Sequence, residues 1–347
     1  MLFLGRRDIR ELLDVDLAIK VVERAFRLLG EGRARPPAVC GLAMEAGSFH
    51  VKIGALEVGA RRYVASKTNA NFPANPRRRG LPTIQGAIIL FDAECGVPLA
   101  ILDSGEITTL RTAAATAVAA RWLAAPGSTV LTVCGCGVQG RAHLRALARV
   151  LPLSRVYLFD LDPAAARRTA EELGPELDVE IVIVERLTDA TRVSDAVVTC
   201  TTSHSFLLGE GSVRPGTFVA GVGADSEEKR ELAPSLLASA RIVVDLLDSC
   251  AAMGDLHHAL ESGAVGRDDV HAELGEIVAG KKRARVEPDD IVVFDSTGIA
   301  LQDVAAAAAV YERAGERGMG AALDLTGEAI RERPLSPPRA EASCCRP

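Results

Sequence analysis

The sequence predicts an α/β protein in two parts, a mostly antiparallel α+β segment followed by a doubly wound parallel sheet. Three observations lead there. From Val39 to Leu102 short apolar runs are separated by Gly, Pro and Asn clusters, the pattern of antiparallel strands joined by turns. After Gly127 strand-sized and helix-sized runs alternate, which implies a parallel sheet covered by helices. Where that alternation begins, Gly135, Gly137 and Gly140 stand at GxGxxG spacing. The 347 residues, 48% hydrophobic and 25% charged, suffice for about two cores without disulfide or metal staples.

Taken in order, Leu17, Val21, Ala25 and Leu28 recur at helical spacing and predict a helix over 15–29, ended by Gly30 and Gly32. Runs 49–53, 63–66, 84–91 and 99–102 are the expected antiparallel strands. An Ala-rich helix over 107–123 stops at Ala125-Pro126-Gly127. Strand 129–133, helix 138–150, strand 155–159 and helix 163–173, opened by Pro163 at its first position, begin the parallel part. Runs 179–184, 196–200, 217–220, 242–244 and 291–294 continue it as strands. The last strong helix, 299–313, has an Ala-rich face suited to returning to the first part. Residues 331–347 lose all periodicity and read as a disordered tail. The expected division is therefore 1–123 with 299–330, a discontinuous first domain, and 124–298, the second.

Charge and composition exclude several function classes. Forty basic against 46 acidic residues leave a net charge of −6, so no positive field points to nucleic acid or an anionic membrane. Aromatic residues, at 4%, are too few for an array of base-stacking platforms. No apolar run approaches the ~20 residues of a membrane span, and Met-Leu-Phe-Leu-Gly-Arg-Arg is too short for a secretory signal. The eight cysteines form no CxxC pair and read as cytosolic thiols, so the expected location is the cytoplasm. His204, His257 and His258 have no partner at metal spacing, and no metal is assigned. The runs 77–79 and 281–285, rich in Arg and Lys, read as solvated surface.

The glycine loop carries the clearest chemistry. The first glycine allows the tight turn, the second lets backbone N–H groups approach a pyrophosphate, and the third lets helix and strand pack closely. The helix N-terminus then faces the negative charge. Asp160, twenty residues past Gly140 at the end of the next strand, is placed to accept hydrogen bonds from ribose hydroxyls and repel a 2′-phosphate. Leu161-Asp162-Pro163 follows with no Arg to receive that phosphate, so NAD is expected rather than NADP. The competing reading makes Asp160 a cap for the helix that Pro163 opens. Cys134 and Cys136 flank the turn as small fillers.

About 130 residues precede this loop, and they contain unusually specific stretches. Ser66-Lys67-Thr68-Asn69 leads to Gly80-Leu81-Pro82-Thr83, and Ile107-Thr108-Thr109-Leu110-Arg111-Thr112 opens the Ala-rich helix. With Gly223-Ala224-Asp225-Ser226 continuing to Lys229, and with Asp295-Ser296-Thr297-Gly298, the chain resembles the ornithine cyclodeaminase/mu-crystallin family. The resemblance runs from about residue 5 to 315. It implies a Rossmann NAD-binding domain plus a discontinuous, mostly antiparallel α+β domain for substrate and dimerisation. It implies that Arg111 clamps the substrate carboxylate, that Lys67 and Asp225 are catalytic and touch substrate, and that Thr297 reaches the substrate. It also implies cofactor contacts from Thr83, Gly135, Gly137, Val138, Gln139, Gly140, Asp160, Thr201, Val219, Ala220, Gly221, Val222, Lys229 and Ser296.

One departure concerns the substrate. Relatives often place a second carboxylate-binding Arg before the first strand, where Arg35-Pro36-Pro37-Ala38 puts an alanine; Arg35 or Lys52 would have to replace it. The leading expectation is an NAD-dependent cyclodeamination. An ornithine-like diamino acid would lose hydride, cyclise with release of ammonia, and take the hydride back as a proline-like product. The alternatives are an NAD-dependent alanine-type dehydrogenase or cyclic ketimine reductase, and a non-catalytic small-ligand binder. The expected partners are a small amino acid and a second copy of the chain.

Overall fold

The computed structural model describes residues 1–35 and 37–325; Pro36 and the expected tail lie outside the described residues. Eight strands form one parallel sheet, in the order Val270–Glu273, Arg241–Val244, Val292–Asp295, Phe218–Gly221, Ala196–Thr199, Val130–Cys134, Arg155–Phe159 and Glu180–Ile183. Strands covered by helices on both faces need continuous apolar runs. Ala196–Thr199, Phe218–Gly221 and Val292–Asp295 supply them, with every residue buried. The strand order reverses beside Val130–Cys134, which makes the crevice at its C-terminal end the place where such sheets take ligands. The last of these eight strands in sequence, Val292–Asp295, inserts between Phe218–Gly221 and Arg241–Val244, delivering Ser296, Thr297 and Gly298 to the same C-terminal edge.

The second sheet has seven strands, ordered Ala321–Ala322, Leu2–Leu4, Pro98–Asp103, Ile84–Asp92, Arg61–Asn71, Gly47–Val58 and Ala38–Met44. Its pairings are antiparallel except for Leu2–Leu4 beside Pro98–Asp103. Both expected sheet types are present, and the register fixes which residues share a face. Along Arg61–Asn71 the alternation turns Tyr63, Ala65 and Lys67 inward, all buried. The strand Ala38–Met44, the helix Arg6–Leu12 and the short helix Asn75–Arg79 are additions to the sequence reading. The three arginines expected in a turn occupy that short helix, which Gly80 ends in a left-handed conformation.

Two Ala-rich helices fill the space between the sheets. Ser104–Leu123 starts three residues before the expected position because the Asp103 carboxylate accepts a hydrogen bond from Glu106 N at 2.9 Å and caps it. Its residues Ala113 to Ala120 are buried all round, so no single apolar stripe marks it. Ala300–Arg317 packs on Gly47–Val58 and Arg61–Asn71 and against Ser104–Leu123. A Cβ at Gly54 would sit 3.1 Å from Ala300 Cβ, which explains why small residues face each other there. This close approach sets Ala300–Arg317 directly over the strand that carries Lys67.

Candidate active site

The nucleotide end of the cleft follows from glycine sterics. Gly135 has φ +95°, and a Cβ at Gly140 would lie 1.9 Å from the Gly135 carbonyl oxygen, so neither position tolerates a side chain. A Cβ at Gly137, by contrast, would meet no atom within 4 Å. The helix Val138–Leu147 begins there with no side-chain cap, leaving its first N–H groups facing open space beside Val138 and Gln139. Those are the features a dinucleotide pyrophosphate requires, and the residues present fit it.

Asp160 holds the loop in shape. Its Oδ2 accepts from Cys136 N at 2.7 Å and its Oδ1 from Asp162 N at 2.8 Å. The cap of the helix Pro163–Leu177 is Asp162, which accepts from Ala164 N, so the competing role for Asp160 falls to its neighbour. Cys134 and Cys136 are buried fillers whose thiols burial pushes well up, which leaves them unreactive. Val219, Ala220 and Gly221 lie within a buried strand, and Val222 follows at its C-terminal end. The Thr201 amide and hydroxyl both donate to Glu231 Oε1, at 2.6 and 2.7 Å. Ser296 Oγ donates to Asp245 Oδ2 at 3.0 Å, and Thr297 Oγ1 shares a hydrogen bond with Ser249 Oγ at 2.7 Å. Thr83 precedes the strand Ile84–Asp92, and its carbonyl accepts from Phe72 N.

The other end of the cleft is a cluster of cations. Lys52 and Lys67 are directly opposite in the antiparallel register, an arrangement that like charges disfavour. Arg111, on the Ser104–Leu123 helix, joins them; it is 5% exposed and Lys67 is 3% exposed. One buried carboxylate, Asp303, pairs directly with two of them, and the buried Asp245 also acts on Lys52. Asp303 Oδ2 pairs with Lys67 Nζ at 2.7 Å and Oδ1 accepts from Arg111 Nε at 3.0 Å. Gln302 Oε1 accepts from Arg111 Nη1 at 2.8 Å, while Arg111 Nη2 donates to no protein atom among the described residues. Lys52 Nζ donates to the carbonyls of Thr297 and Gly298, at 3.0 and 2.6 Å. Gly298 has φ +76°, and a Cβ there would come within 2.3 Å of Arg111 Nη1; the Ser-Thr-Gly turn needs its glycine for Arg111 to fit.

Electrostatics follow from this geometry. Burial, reinforced by the Arg111 charge, pushes the Lys67 ammonium down to about 7, although Asp303 pulls the other way. Lys52 is lowered for the same two reasons. Burial alone would raise Asp303, but Lys67 and Arg111 outweigh it and hold the carboxyl below its ordinary value. The pocket thus carries excess positive charge and a lysine that titrates near neutrality.

Asp225 stands apart from this cluster. Its side chain is 45% exposed and Oδ1 pairs with Lys229 Nζ at 2.6 Å, so Lys229 reaches Asp225 where cofactor contact was expected. Asp225 still acts electrostatically on His50 and Lys52, which places it near the mouth. His143 links the two ends of the cleft. Its Nδ1 bonds to the Gln139 carbonyl and its Nε2 to Thr116 Oγ1, joining the glycine-loop helix to the Arg111 helix; burial lowers it to about 4.

The family model for ornithine cyclodeaminase/mu-crystallin proteins matches residues 1–318. The chain belongs to that family. Among its relatives, the alanine dehydrogenase of Archaeoglobus fulgidus is 36% identical over 93% of this chain and 98% of the relative. The L-lysine cyclodeaminase of Streptomyces rapamycinicus is 34% identical over 93% of this chain and 95% of the relative. The solved structure of the Thermococcus litoralis Δ1-pyrroline-2-carboxylate reductase, in complex with NADH and L-proline, superimposes with a TM-score of 0.89 at 33% identity. That match covers 93% of this chain and all of the other.

In this member of the ornithine cyclodeaminase/mu-crystallin family, sequence reasoning missed Gln302 and Asp303. Two adjacent polar residues inside an Ala-rich helix segment were the available signal, because an unpaired carboxylate does not persist in the buried stretch Ala300 to Val310. It also missed Glu231 and Asp245, which organise the turns at the parallel edge. Lys52 lies within the cluster, and among the described residues none of the cluster's hydrogen bonds or ion pairs involves Arg35. Among the histidines, Glu261 supplies the partner that was absent from the sequence reading: His257, His258 and Glu261 converge.

Proposed function

We propose that this chain interconverts a small α-amino acid and its α-imino acid with NAD(H), working as a dehydrogenase or imine reductase. The observation that carries this reading is the Lys52–Lys67–Arg111 cluster, in which Asp303 pairs with Lys67 and Arg111. Its surplus charge suits an anionic substrate, and Lys67 at about 7 can take or give a proton at neutral pH.

When bound, NAD supplies the acceptor or donor for hydride at Cα. Arg111, oriented by Asp303 and Gln302, presents Nη2 to the substrate carboxylate. Lys67 in its neutral form accepts a proton from the substrate ammonium, which frees the nitrogen lone pair to form the C=N bond as the Cα–H bond breaks. In the reverse direction Lys67 in its charged form keeps the imine nitrogen protonated, which makes Cα electrophilic. Water hydrolyses an acyclic imine to a 2-oxo acid and ammonia; a cyclic imine is reduced intact. Lys52 fixes the 297–298 turn and adds positive charge above it.

A second reading, cyclodeamination of a diamino acid, is favoured by Asp225 at the mouth, where it could hold a side-chain ammonium. It ranks second because Lys229 already neutralises that carboxylate. The two separate in one assay, with ornithine or alanine, substoichiometric NAD, and ammonia, proline and NADH followed together. NADH rising in step with ammonia from alanine supports the dehydrogenase. Ammonia and proline from ornithine without net NADH support the cyclodeaminase. Full turnover in Lys67→Ala contradicts the site in either case.

We also propose pairing of two copies through the outer face of the antiparallel sheet. Leu42, Met44, Phe49 and Ile53 share that face by register and are 62, 50, 37 and 42% exposed. Light scattering on the purified chain, expected to give twice the 36.6 kDa chain mass, tests it.

A further inference from the structure

The helix Asp255–Glu261, away from the cation cluster, gathers three metal-ligand side chains on one face. His257, His258 and Glu261 each offer a ligand atom, and those atoms lie within 4.8 Å of one another. We propose that they form a binding site for a divalent transition metal of the zinc class, with His257 Nε2, His258 Nδ1 and the Glu261 carboxylate as ligands.

The hydrogen bonds of the two imidazoles support the assignment. His257 Nδ1 lies 3.1 Å from the Ala251 carbonyl and His258 Nε2 lies 2.9 Å from the Lys229 carbonyl. A carbonyl only accepts, so each of those ring nitrogens carries the proton. The opposite nitrogen of each neutral ring is then an unprotonated lone pair, His257 Nε2 and His258 Nδ1. Fixing the tautomer from behind in this way is the arrangement that orients histidine ligands in metal proteins. Both rings are further held in place: they pack edge-on to each other at 5.3 Å, and Phe206 packs against His258 at 6.0 Å.

The third ligand comes from helical spacing. Glu261 is four residues from His257 and three from His258, so it neighbours each of them on the helix surface. Its carboxylate is exposed and has no hydrogen-bond or ion-pair partner among the described residues. Ligands of a tetrahedral zinc ion are separated by about 3.3 Å, given Zn–N and Zn–O lengths near 2.0–2.1 Å, so ligand atoms already within 4.8 Å of one another close the set through side-chain rotations of about 1.5 Å or less. Two imidazoles and one carboxylate leave a fourth position for water or another ligand. This donor set suits Zn²⁺ or Co²⁺ and disfavours Ca²⁺ or Mg²⁺, which take oxygen ligands.

The site would reach the cleft through backbone. Besides the His258 bond to Lys229, Asp255 Oδ1 accepts from Glu231 N and Leu232 N at 2.7 and 2.9 Å. A metal on this helix would therefore brace the segment that carries Lys229, the partner of Asp225.

The test is a Co²⁺ titration of the full chain carrying Cys344→Ser and Cys345→Ser, because that adjacent thiol pair would compete for the ion. Visible d–d absorption reports the coordination, and Zn²⁺ competition reports affinity. The expected result is saturation at one equivalent without thiolate charge-transfer absorption, at least about tenfold weakening in both His257→Ala and Glu261→Gln, and a Zn²⁺-induced rise in melting temperature confined to the parent. Neither variant removes a fully buried side chain, and circular dichroism checks that each folds. No saturable binding in the parent, or the parent's affinity retained in either variant, overturns the proposal.

Discussion

The cleft is lined by two buried charged regions that solve the same problem in opposite ways. On the side of the antiparallel sheet, Lys67 and Arg111 share one carboxylate, Asp303, while Lys52 rests on two backbone carbonyls. On the edge of the parallel sheet, Glu231, Asp245, Asp255 and Asp295 are all fully buried, and backbone N–H groups and hydroxyls answer them rather than cations. Glu231 alone accepts from Thr199, Thr201 and Gly223. The acidic region spends its charge on shaping turns, and only Asp255 Oδ2 and Asp295 Oδ1 lack a partner among the described residues. The cationic region leaves Arg111 Nη2 unpaired among the described residues, and that difference supports the proposal that the substrate carboxylate binds there.

Removing the one carboxylate of the cationic side should have the largest effect. Asp303→Asn leaves Lys67 and Arg111 buried without a counter-ion, and breaking such a pair costs about 3–5 kcal/mol. Urea denaturation of the variant is expected to show a loss of that size; a loss below about 1 kcal/mol would mean that water or another group already compensates the cations.

Arg111→Lys keeps the charge and removes the planar fork. The expected outcome is a rise in amino-acid KM of roughly ten- to a hundredfold, the worth of about one charge-assisted hydrogen bond, with NAD affinity unchanged. An equal loss in NAD binding would place Arg111 at the other end of the cleft.

The two regions also predict opposite pH dependence. Lys67 is lowered to about 7 in the folded chain, from an ordinary value of 10.5. A lowered lysine makes stability fall as pH drops from about 10 to 7, because the unfolded chain takes up the proton first. Asp255 is raised to about 7, chiefly by burial and then by Glu231, so stability falls as pH climbs from about 4 to 7. Lys67→Met should reduce the alkaline slope, to which Lys52 also contributes, and Asp255→Asn the acidic one, to which Asp295 and Glu231 also contribute, measured as denaturation midpoint against pH. Amino-acid oxidation should rise through pH 7 in the parent and lose that limb in Lys67→Arg.

The smallest effect is expected for Asp255→Asn at neutral pH. The amide oxygen can keep the bonds from Glu231 N and Leu232 N. Its new N–H₂ group can serve Asp295, whose Oδ1 has no partner, for a gain of about 1 kcal/mol or less.

The parallel half was largely legible because its rules are local. A strand, three spaced glycines, a helix and an acidic residue after the next strand stand in sequence order, and the structure sets them side by side. Lys67 and Arg111 were legible as residue types out of keeping with their neighbours. What they meet was not legible. Asp303 lies 192 positions from Arg111 and becomes its partner only because a small-residue helix returns across the sheet at close range. The Lys229–Asp225 pair and the tie from His258 to Lys229 depend on loop conformation, which residue spacing does not encode. Asp160 was placed correctly at the end of its strand, yet the capping of the following helix belonged to Asp162, two residues on.

The central claim is that the cationic region presents an amino or imino carbon to the nicotinamide of a bound dinucleotide. It is tested most directly by following deuterium from NADH labelled with ²H at both C4 positions, supplied with pyruvate and ammonia or with pyrroline-2-carboxylate. The account predicts deuterium at Cα of the amino-acid product, and loss of transfer in Lys67→Ala with NADH binding retained. NADH that binds but delivers no label to any α-imino or 2-oxo acid, or transfer at the parent rate in Lys67→Ala, would contradict it.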